Sequence, residues 1–252
     1  MRRDWITHHS GWLNRDMNIL VHGHGGVPLI AIPCQDGMCD NWESFGMQDT
    51  LADYIENGVI QIFSVDTVDR ESWSDVHGDK GYRAWVQEEY FHYLVDEAVP
   101  FIRELNGTGM LPIITGFSLG ATHSVITFFR RPDLFSGVLA LSGCYDTVYF
   151  WDGWCNETLY NNSPVHFLAN LPNDHYYVDM YNHRKIAICV GQGRWEDEGR
   201  RTSAMLRDIF EAKGIHGWVD FWGYDVDHDW PWWRKQIRYF LPWLLEGVIK
   251  TW

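Results

Sequence analysis

Six short, mainly apolar runs recur along the chain, with room for a helix between most of them. Runs of this length, bounded by turn residues, are typical of strands buried in a sheet. Two earlier stretches, 5–9 and 17–22, flank a turn-rich link and predict an antiparallel hairpin. The six apolar runs predict strands at 27–33, 59–65, 111–115, 137–142, 186–190 and 217–222.

Amphipathic stretches between these runs predict helices. Residues 201–213 place apolar side chains four apart and are followed by Gly214, a typical helix-ending residue. Pro100 is expected to kink or restart a long helix over 82–105. Strands that alternate with helices after a hairpin indicate an α/β fold, with a mostly parallel central sheet and helices on both faces. Further helices are expected at 48–57, from Ala121 to Arg131, and from Pro231 onward.

The domain organisation follows from what interrupts this pattern. No linker, internal repeat or low-complexity tract divides the sequence, so residues 1–252 are expected to form a single domain. The segment 143–184 is irregular, aromatic and rich in asparagine. Because a connection this long inside a compact domain is usually functional, we interpret 143–184 as a lid or pocket wall.

The strongest chemical motif is Gly116-Phe117-Ser118-Leu119-Gly120, between the predicted strand 111–115 and the helix after it. A Gly-x-Ser-x-Gly sequence in this setting is a nucleophile elbow, a strained turn that exposes the serine. Glycines are needed because side chains two residues either side would collide with the neighbouring strand and helix. Because the pentapeptide also occurs by chance, it is evidence for an active site only if an acid and then a histidine follow it in the chain.

Two histidines come late enough in the chain to serve as the base. His216 precedes the strand 217–222 and would lie at the opposite edge of the sheet from Ser118. His228 follows that strand and would lie at the same edge as Ser118. A serine hydroxyl becomes a strong nucleophile only when a base takes its proton. We therefore predict that His228 is the base.

The acid should follow the preceding strand, 186–190. Three carboxylates stand there in a row, at 196–198, and some of them would suit the first turn of the next helix. Spacing alone leaves Glu196 and Asp197 open as the triad acid. The oxyanion needs two N–H donors, of which one is the backbone of Leu119. The second is expected in the loop 35–38, after the strand 27–33.

Composition excludes several other classes of function. The formal net charge of −14 disfavours nucleic acid and anionic membranes as partners. No run of 18 apolar residues occurs, and no apolar leader follows Met1, so a cytoplasmic protein is expected. The five cysteines are scattered without a Cys-x-x-Cys pair, which argues against a disulfide framework or a zinc site. We expect neither a metal nor a cofactor.

The sequence resembles the Putative esterase branch of the α/β-hydrolases. That branch includes esterase D and S-formylglutathione hydrolase, feruloyl and acetyl esterases, and is related to the mycolyltransferases. The resemblance rests on the motifs at 116–120, 191–196 and 228–233 and implies an α/β-hydrolase fold. It implies Glu196 as the acid, because the acid is the third residue after a Gln-Gly pair. Similarity to the mycolyltransferases implies Met38 as the second oxyanion donor, although the family's common His-Gly is replaced here by Gln35-Asp36-Gly37.

Together these features predict a serine esterase, that is, a carboxylic ester hydrolase. It would act through an acyl-enzyme on a small-molecule ester with a small acyl or aroyl group, with sugar esters among the candidates. Two alternatives are an acyltransferase with the same three residues and a catalytically idle binding module on a hydrolase scaffold. Of the 15 tryptophans, most should lie in the core. Trp42, Trp151 and Trp195 are predicted to contact the substrate.

Overall fold

Eight strands within residues 1–247, the part of the chain that this computed structural model describes, form one mixed sheet. Its spatial order is β1-β2-β4-β3-β5-β6-β7-β8. The first two strands pair antiparallel as a hairpin, β2 pairs antiparallel with β4, and β3 to β8 are parallel to one another. The predicted mostly parallel sheet with an antiparallel N-terminal hairpin is confirmed. The strands are β1 (Arg3–Ser10), β2 (Arg15–His22), β3 (Val27–Ile32), β4 (Ile60–Val65), β5 (Ile113–Phe117), β6 (Gly137–Leu141), β7 (Lys185–Val190) and β8 (Trp218–Phe221).

Helices connect the parallel strands and cover the sheet. The segment 143–184 contains four short helices instead of one long one, as its irregular sequence indicates. The α-helices are Asn41–Ser44, Met47–Thr50, Ala52–Glu56, Lys80–His92, Val99–Asn106, Leu119–Arg130, Val148–Trp151, Glu157–Asn161, Pro164–Ala169, Tyr176–Asn182, Asp197–Lys213 and Trp230–Leu244. Single turns of 3₁₀-helix lie at Asp69–Glu71 and Pro132–Leu134.

Side chains of the central strands point alternately to the two faces of the sheet and divide the core into two layers. In β3, Ile30 and Ile32 belong to one apolar cluster, whereas Leu29 and Ala31 belong to the other. Successive side chains of a strand point to opposite faces, so the two clusters lie on opposite faces of the sheet. One cluster includes side chains of the helices Lys80–His92, Leu119–Arg130 and Asp197–Lys213. The other includes side chains of Ala52–Glu56 and Trp230–Leu244.

Two predicted helices differ from expectation. The helix expected over 48–57 is two short helices separated at Leu51, whose ψ of 13° departs from helical geometry. The helix expected over 82–105 contains a π-helical segment, Tyr93–Ala98, just before Pro100. Pro100 has no N–H for the carbonyl of Asp96, four residues earlier. The next N–H along the chain is five residues from Asp96, which is the π-helical spacing.

Parallel strands bring the polar residues that follow them to one edge of the sheet. Ser118 follows β5, Ser142 follows β6, and the loops 191–196 and 222–229 follow β7 and β8. Ligands of open α/β sheets bind at this carboxyl edge. The order of the strands therefore places Ser118 between the loop after β3 and the polar residues that follow β6.

The helix Leu119–Arg130 approaches the sheet so closely that only glycine fits at Gly120. A Cβ atom there would lie 2.3 Å from the carbonyl oxygen of Pro33 and 2.4 Å from that of Ile32. Gly116 is restricted in the same way, since its Cβ would lie 2.3 Å from the carbonyl carbon of Gly120. Both glycines of the pentapeptide are thus required by backbone contacts.

Replacing Gly120 by alanine is expected to destabilise the protein, because backbone atoms of β3 must move to accept the methyl group. Overpacking of this kind costs about 1–3 kcal/mol or more. Gly25→Ala is the matched control, because a Cβ there meets no atom within 4 Å. Urea unfolding should show a lower midpoint for Gly120→Ala and a change within about 0.5 kcal/mol for Gly25→Ala. Equal midpoints for the two variants would contradict this packing.

Candidate active site

Ser118 lies in a strained turn between β5 and the helix that begins at Leu119. Its φ of 55° and ψ of −127° are rare for a residue with a side chain. The Ser118 N–H donates to the carbonyl of Leu141 on β6 at 2.9 Å, which fixes the turn to the neighbouring strand. The turn therefore presents the hydroxyl at the start of a helix, where backbone N–H groups have no intrahelical partner.

The side chains of Ser118, His228 and Glu196 form a continuous chain of polar contacts. Ser118 Oγ lies 2.8 Å from His228 Nε2, and His228 Nδ1 lies 3.2 Å from Glu196 Oε2. The His228 ring stands edge-on to Trp233, with centroids 5.0 Å apart at 83°. A hydroxyl on one nitrogen of an imidazole and a carboxylate on the other is the arrangement that activates a serine.

Glu196 and Asp197 have different environments. Glu196 is 1% exposed, and its second oxygen, Oε1, accepts hydrogen bonds from Ser142 Oγ at 2.6 Å and from the Gly191 N–H at 3.4 Å. The side chain of Asp197 is 85% exposed and pairs with Arg200 one turn along the helix. Asp197 thus occupies the first turn of the helix Asp197–Lys213, where negative charge suits the helix dipole.

The loops after β7 and β8 are hydrogen-bonded to each other. Arg194 links them twice, because its N–H donates to Asp227 Oδ1 at 2.7 Å and its carbonyl accepts from the His228 N–H at 3.0 Å. The Gly193 N–H also donates to the carbonyl of Val226 at 2.9 Å. These bonds hold the backbones beside Glu196 and His228 at a fixed separation.

Backbone donors near Ser118 come from two segments. The Leu119 N–H opens its helix and is bonded to no acceptor among the described residues. In the loop after β3, the N–H groups of Cys34, Asp36 and Gly37 are already bonded, to Asn41 Oδ1, Asp69 Oδ2 and the Cys34 carbonyl.

Gln35 and Met38 are the two candidates left in that loop. Neither N–H has a partner among residues 1–247. Gln35 lines the cavity at Ser118, whereas the exposed Met38 is not among the residues that line it. The structure thus places Gln35, and not Met38, against the space where a substrate would bind.

Buried polar side chains hold the loop after β3 in place. Asp69 accepts the Asp36 N–H at 3.1 Å through one oxygen and lies 2.8 Å from His123 Nε2 through the other. His123 belongs to the helix that follows Ser118, and both side chains of this pair are almost fully buried. Asp66 accepts the N–H of Cys39 at 2.9 Å. The carboxylates of Asp66 and Asp69 therefore anchor the loop to the body of the protein.

A cavity of about 340 Å³ opens over Ser118 and His228. The segment 143–184 contributes Tyr149 and Phe150 to its wall, and the loop after β7 contributes Trp195. Its charged lining residues are two carboxylates, and each of them pairs with an arginine of its own helix. These carboxylates are Asp197 and Glu198, and the remaining lining residues are Gln35, Leu119, Thr122, Ser142, Cys144 and Gly199.

Of the three tryptophans predicted to contact substrate, Trp195 alone lines the cavity. It is 85% exposed and has a φ of 66°, which is unusual for a bulky residue. The predicted substrate contacts of Trp42 and Trp151 are wrong, because these side chains are 2% and 0% exposed and lie in the core. Trp42 stacks on Phe117, and the Trp151 ring packs beneath the guanidinium of Arg83.

Sequence patterns alone did not single out several residues of this region. Ser142 follows β6 at the same sheet edge as Ser118, so the topology could have indicated it. Tyr149 and Phe150 were recognised only as part of an aromatic segment, because nothing in that segment distinguishes a side chain facing a cavity from one in the core. Gln35 was included only as part of the stretch 35–38.

Within residues 1–247, no three His, Cys, Asp or Glu side chains are grouped as a metal site would need. None of the helices that the structure describes is long and apolar enough to cross a membrane.

Comparisons with known proteins place this geometry in context. A family model described as Putative esterase matches residues 10–244. A ferulic acid esterase shares 16% identity over 96% of this chain and 97% of its own, with a TM-score of 0.74. An S-formylglutathione hydrolase from Agrobacterium tumefaciens shares 12% identity over 97% and 94%, with a TM-score of 0.71. MPT51 (FbpC1) of Mycobacterium tuberculosis shares 13% identity over 99% and 100%, with a TM-score of 0.73.

At these identities the solved structures establish the fold that the chain shares with them. A comparison with curated protein sequences gave no match at the significance required.

Cys144 lines the cavity but is expected to be a poor nucleophile. Burial raises the pKa of its thiol to about 12, so the reactive thiolate is scarce near neutral pH. Iodoacetamide at about pH 8 should alkylate the exposed Cys155 first and leave Cys144 largely unmodified. The alkylation rate of Cys144 should still rise when the pH is raised further. Peptide mass spectrometry over time measures both sites. Equal labelling of the two cysteines at that pH would contradict the expectation.

Proposed function

The chain belongs to the Putative esterase family, and we propose that this esterase hydrolyses carboxylic esters through a covalent acyl-enzyme on Ser118. The observation that carries the proposal is the unbroken series of contacts from Ser118 through His228 to the buried Glu196. Each of the three side chains lies at the carboxyl edge of the sheet, on a loop that directly follows a strand. The same geometry argues against a scaffold that only binds ligands.

In the first step, Ser118 Oγ attacks the carbonyl carbon of the ester. The hydroxyl proton passes to His228 Nε2 as the Oγ–C bond forms. The tetrahedral intermediate then breaks its bond to the alcohol oxygen, which takes the proton from His228 and leaves as the free alcohol. Ser118 is left as an acyl ester, and His228 is neutral again.

In the second step, water takes the place of the alcohol. His228 accepts a proton from the water as its oxygen attacks the acyl carbon, and the Ser118 Oγ–C bond breaks. Ser118 recovers its proton from His228, and the carboxylic acid leaves. In both steps Glu196 would hold the imidazole through Nδ1 and stabilise its positive charge.

The oxyanion would be held by two backbone N–H groups. Leu119 supplies one, because it follows the nucleophile and opens a helix. For the second donor we propose Gln35 in place of Met38, since Gln35 lines the cavity and its N–H has no partner within residues 1–247. Donors fixed in position before the reaction stabilise the developing charge most effectively.

The cavity favours small esters that carry a flat ring. Trp195, Tyr149 and Phe150 offer aromatic surface beside Ser118. Rings stack on such surfaces, and sugars also pack on them. We propose that the acyl or alcohol part of the substrate is aromatic or a sugar, with 143–184 forming the pocket wall. The similar ferulic acid esterase acts, by its name, on esters of ferulic acid, which carries an aromatic ring.

Hydrolysis of p-nitrophenyl acetate should depend on Ser118 and Glu196 but not on Asp197. Ser118→Ala should lower kcat/KM by about four orders of magnitude or more, and Glu196→Gln by about three to four. Asp197→Asn removes an exposed ion pair at the cavity wall but keeps the side-chain shape and leaves Glu196 in place, so kcat/KM should stay within about fivefold of wild type. Release of p-nitrophenol, followed by absorbance, measures all three variants.

The controls separate the alternatives. Folded Ser118→Ala with wild-type activity would overturn the proposal, and a greater loss in Asp197→Asn than in Glu196→Gln would reassign the acid. Transfer of the acyl group to added alcohols or sugars in preference to water would identify an acyltransferase. Failure of a fluorophosphonate to label Ser118 in the wild type would instead indicate an idle scaffold.

Trp195 should contribute to binding more than to the chemical step. In Trp195→Asn, a residue that tolerates positive φ replaces the indole, so the loop beside Glu196 should keep its conformation. For phenyl acetate, KM should rise by about two- to tenfold with kcat little changed, as expected for the loss of one aromatic contact. Ethyl acetate should show a smaller effect. Tyr224→Ala, an exposed aromatic residue that is not among the cavity-lining residues, is the control. A loss in kcat alone would contradict a binding role.

A further inference from the structure

We propose that Ser142 and Trp233 are positioning residues that hold the carboxylate of Glu196 toward His228. The inference rests on the proposed function of Ser118, His228 and Glu196. Neither Ser142 nor Trp233 touches a reacting atom in that mechanism. Their role would be to set the direction of the carboxylate, and through it the orientation of the imidazole.

The direction of the hydrogen bonds is determined by the chemistry of the groups. The indole Nε1–H of Trp233 lies 3.0 Å from Ser142 Oγ, and an indole nitrogen can only donate. Ser142 Oγ therefore accepts from Trp233 and is left to donate its own proton. Glu196 Oε1, at 2.6 Å, is the acceptor of that proton.

This arrangement uses one carboxylate oxygen for anchoring and leaves the other for the base. Oε1 of Glu196 accepts from Ser142 and from the backbone of Gly191, whereas Oε2 faces His228 Nδ1. A buried glutamate has three rotatable side-chain bonds, so its carboxylate needs such an anchor to keep one orientation. Donors that orient a functional group in this way are common around active sites.

The backbone at Ser142 carries strain that this role would explain. Its φ of 59° lies in the left-handed region, which is unfavourable for a residue with a side chain. The Ser142 N–H donates to the carbonyl of Cys189 on β7 at 2.8 Å and holds the residue there. Backbone strain of this kind concentrates at functional sites. A glycine would adopt this backbone more easily but would lack the hydroxyl.

Trp233 contacts both the base and the anchor. Its ring meets the His228 ring edge-on at 5.0 Å, and it stacks on Phe117 with centroids 5.6 Å apart at 10°. The indole N–H reaches Ser142 at the same time. One side chain of the helix Trp230–Leu244 therefore supports the imidazole and orients the hydroxyl that fixes Glu196.

Loss of the Ser142 hydroxyl should change the pH dependence of the reaction. When His228 is neutral, the Glu196–His228 pair carries one buried negative charge, and when the imidazole is protonated, the pair is neutral overall. Removal of a donor to the carboxylate destabilises the charged form, so the pair would bind its proton at a higher pH. The acid limb of kcat/KM should then move to higher pH.

Other titratable groups near Glu196 should not obscure this change. Burial raises the pKa values of the Cys189 thiol and the Tyr145 phenol above their usual range, so both remain neutral across the acid limb. Cys144, in the cavity wall, is neutral there for the same reason. The nearby charged side chains are paired as Arg194 with Asp227, Arg200 with Asp197, and Arg201 with the buried Asp146 and with Glu198.

The test compares pH profiles of p-nitrophenyl acetate hydrolysis for wild type, Ser142→Ala, Ser142→Gly and Trp233→Phe. We expect kcat to fall by about 10- to 100-fold in both Ser142 variants, with KM little changed and the acid limb shifted upward. Trp233→Phe keeps a ring against His228 but removes the N–H, and should show a smaller shift in the same direction. Ser203→Ala removes another buried serine hydroxyl, one with no hydrogen-bond partner among residues 1–247, and should match wild type.

Several outcomes would overturn the inference. If Ser142→Ala and Ser142→Gly keep the wild-type pH profile and kcat, the hydroxyl does not position Glu196. If Ser142→Gly regains full activity while Ser142→Ala does not, the backbone and not the hydroxyl is responsible. If the fall in kcat of each variant only parallels a fall in its thermal unfolding midpoint, the role of Ser142 is structural. Absence of esterase activity and of fluorophosphonate labelling in the wild type would instead refute the proposed function on which the inference rests.

Discussion

The close approach of the helix Leu119–Arg130 to β3 is the constraint on which the rest of the site depends. Gly116 and Gly120 allow backbone to pack on backbone at distances that no side chain permits. That packing forces Ser118 into a left-handed turn at the start of the helix. A serine held in this way presents its hydroxyl to the cavity, beside a Leu119 N–H that has no acceptor among residues 1–247. The proposed chemistry of Ser118 therefore begins with a steric feature of two glycines.

Buried polar groups then fix the surroundings of that turn. Asp69 joins the loop after β3 to His123 on the helix behind Ser118. Ser142 bonds to Glu196 from the adjacent strand end. Buried charges are costly unless they are hydrogen-bonded, so their presence in pairs and networks indicates positions where the fold must hold one geometry. The cavity wall, by contrast, includes Tyr149 and Phe150 of the irregular segment 143–184.

Much of this organisation could be predicted because it depends on local pattern. Apolar runs and turn residues indicated the strands, and the rule that parallel strands end at one edge separated His228 from His216. The exposure of aromatic residues could not be predicted in the same way. Trp42, Trp151 and Trp195 all lie in stretches that the sequence predicts to be loop or irregular, yet tertiary packing buries the first two and exposes the third. The π-helical segment before Pro100 likewise depends on how the helix accommodates a missing N–H.

The bonds between the loops after β7 and β8 have a mechanical consequence. Arg194 is bonded to both Asp227 and His228, so the loop beside Glu196 and the loop beside His228 form one rigid unit. Ser118 and its helix are held separately, by the packing on β3 and by the bond from the Ser118 N–H to β6. Because the two loops are cross-linked, a push on the exposed Trp195 side chain is shared between the acid and the base. The pairing of Glu196 with His228 is therefore better protected from movement at the cavity wall than the contact between His228 and Ser118.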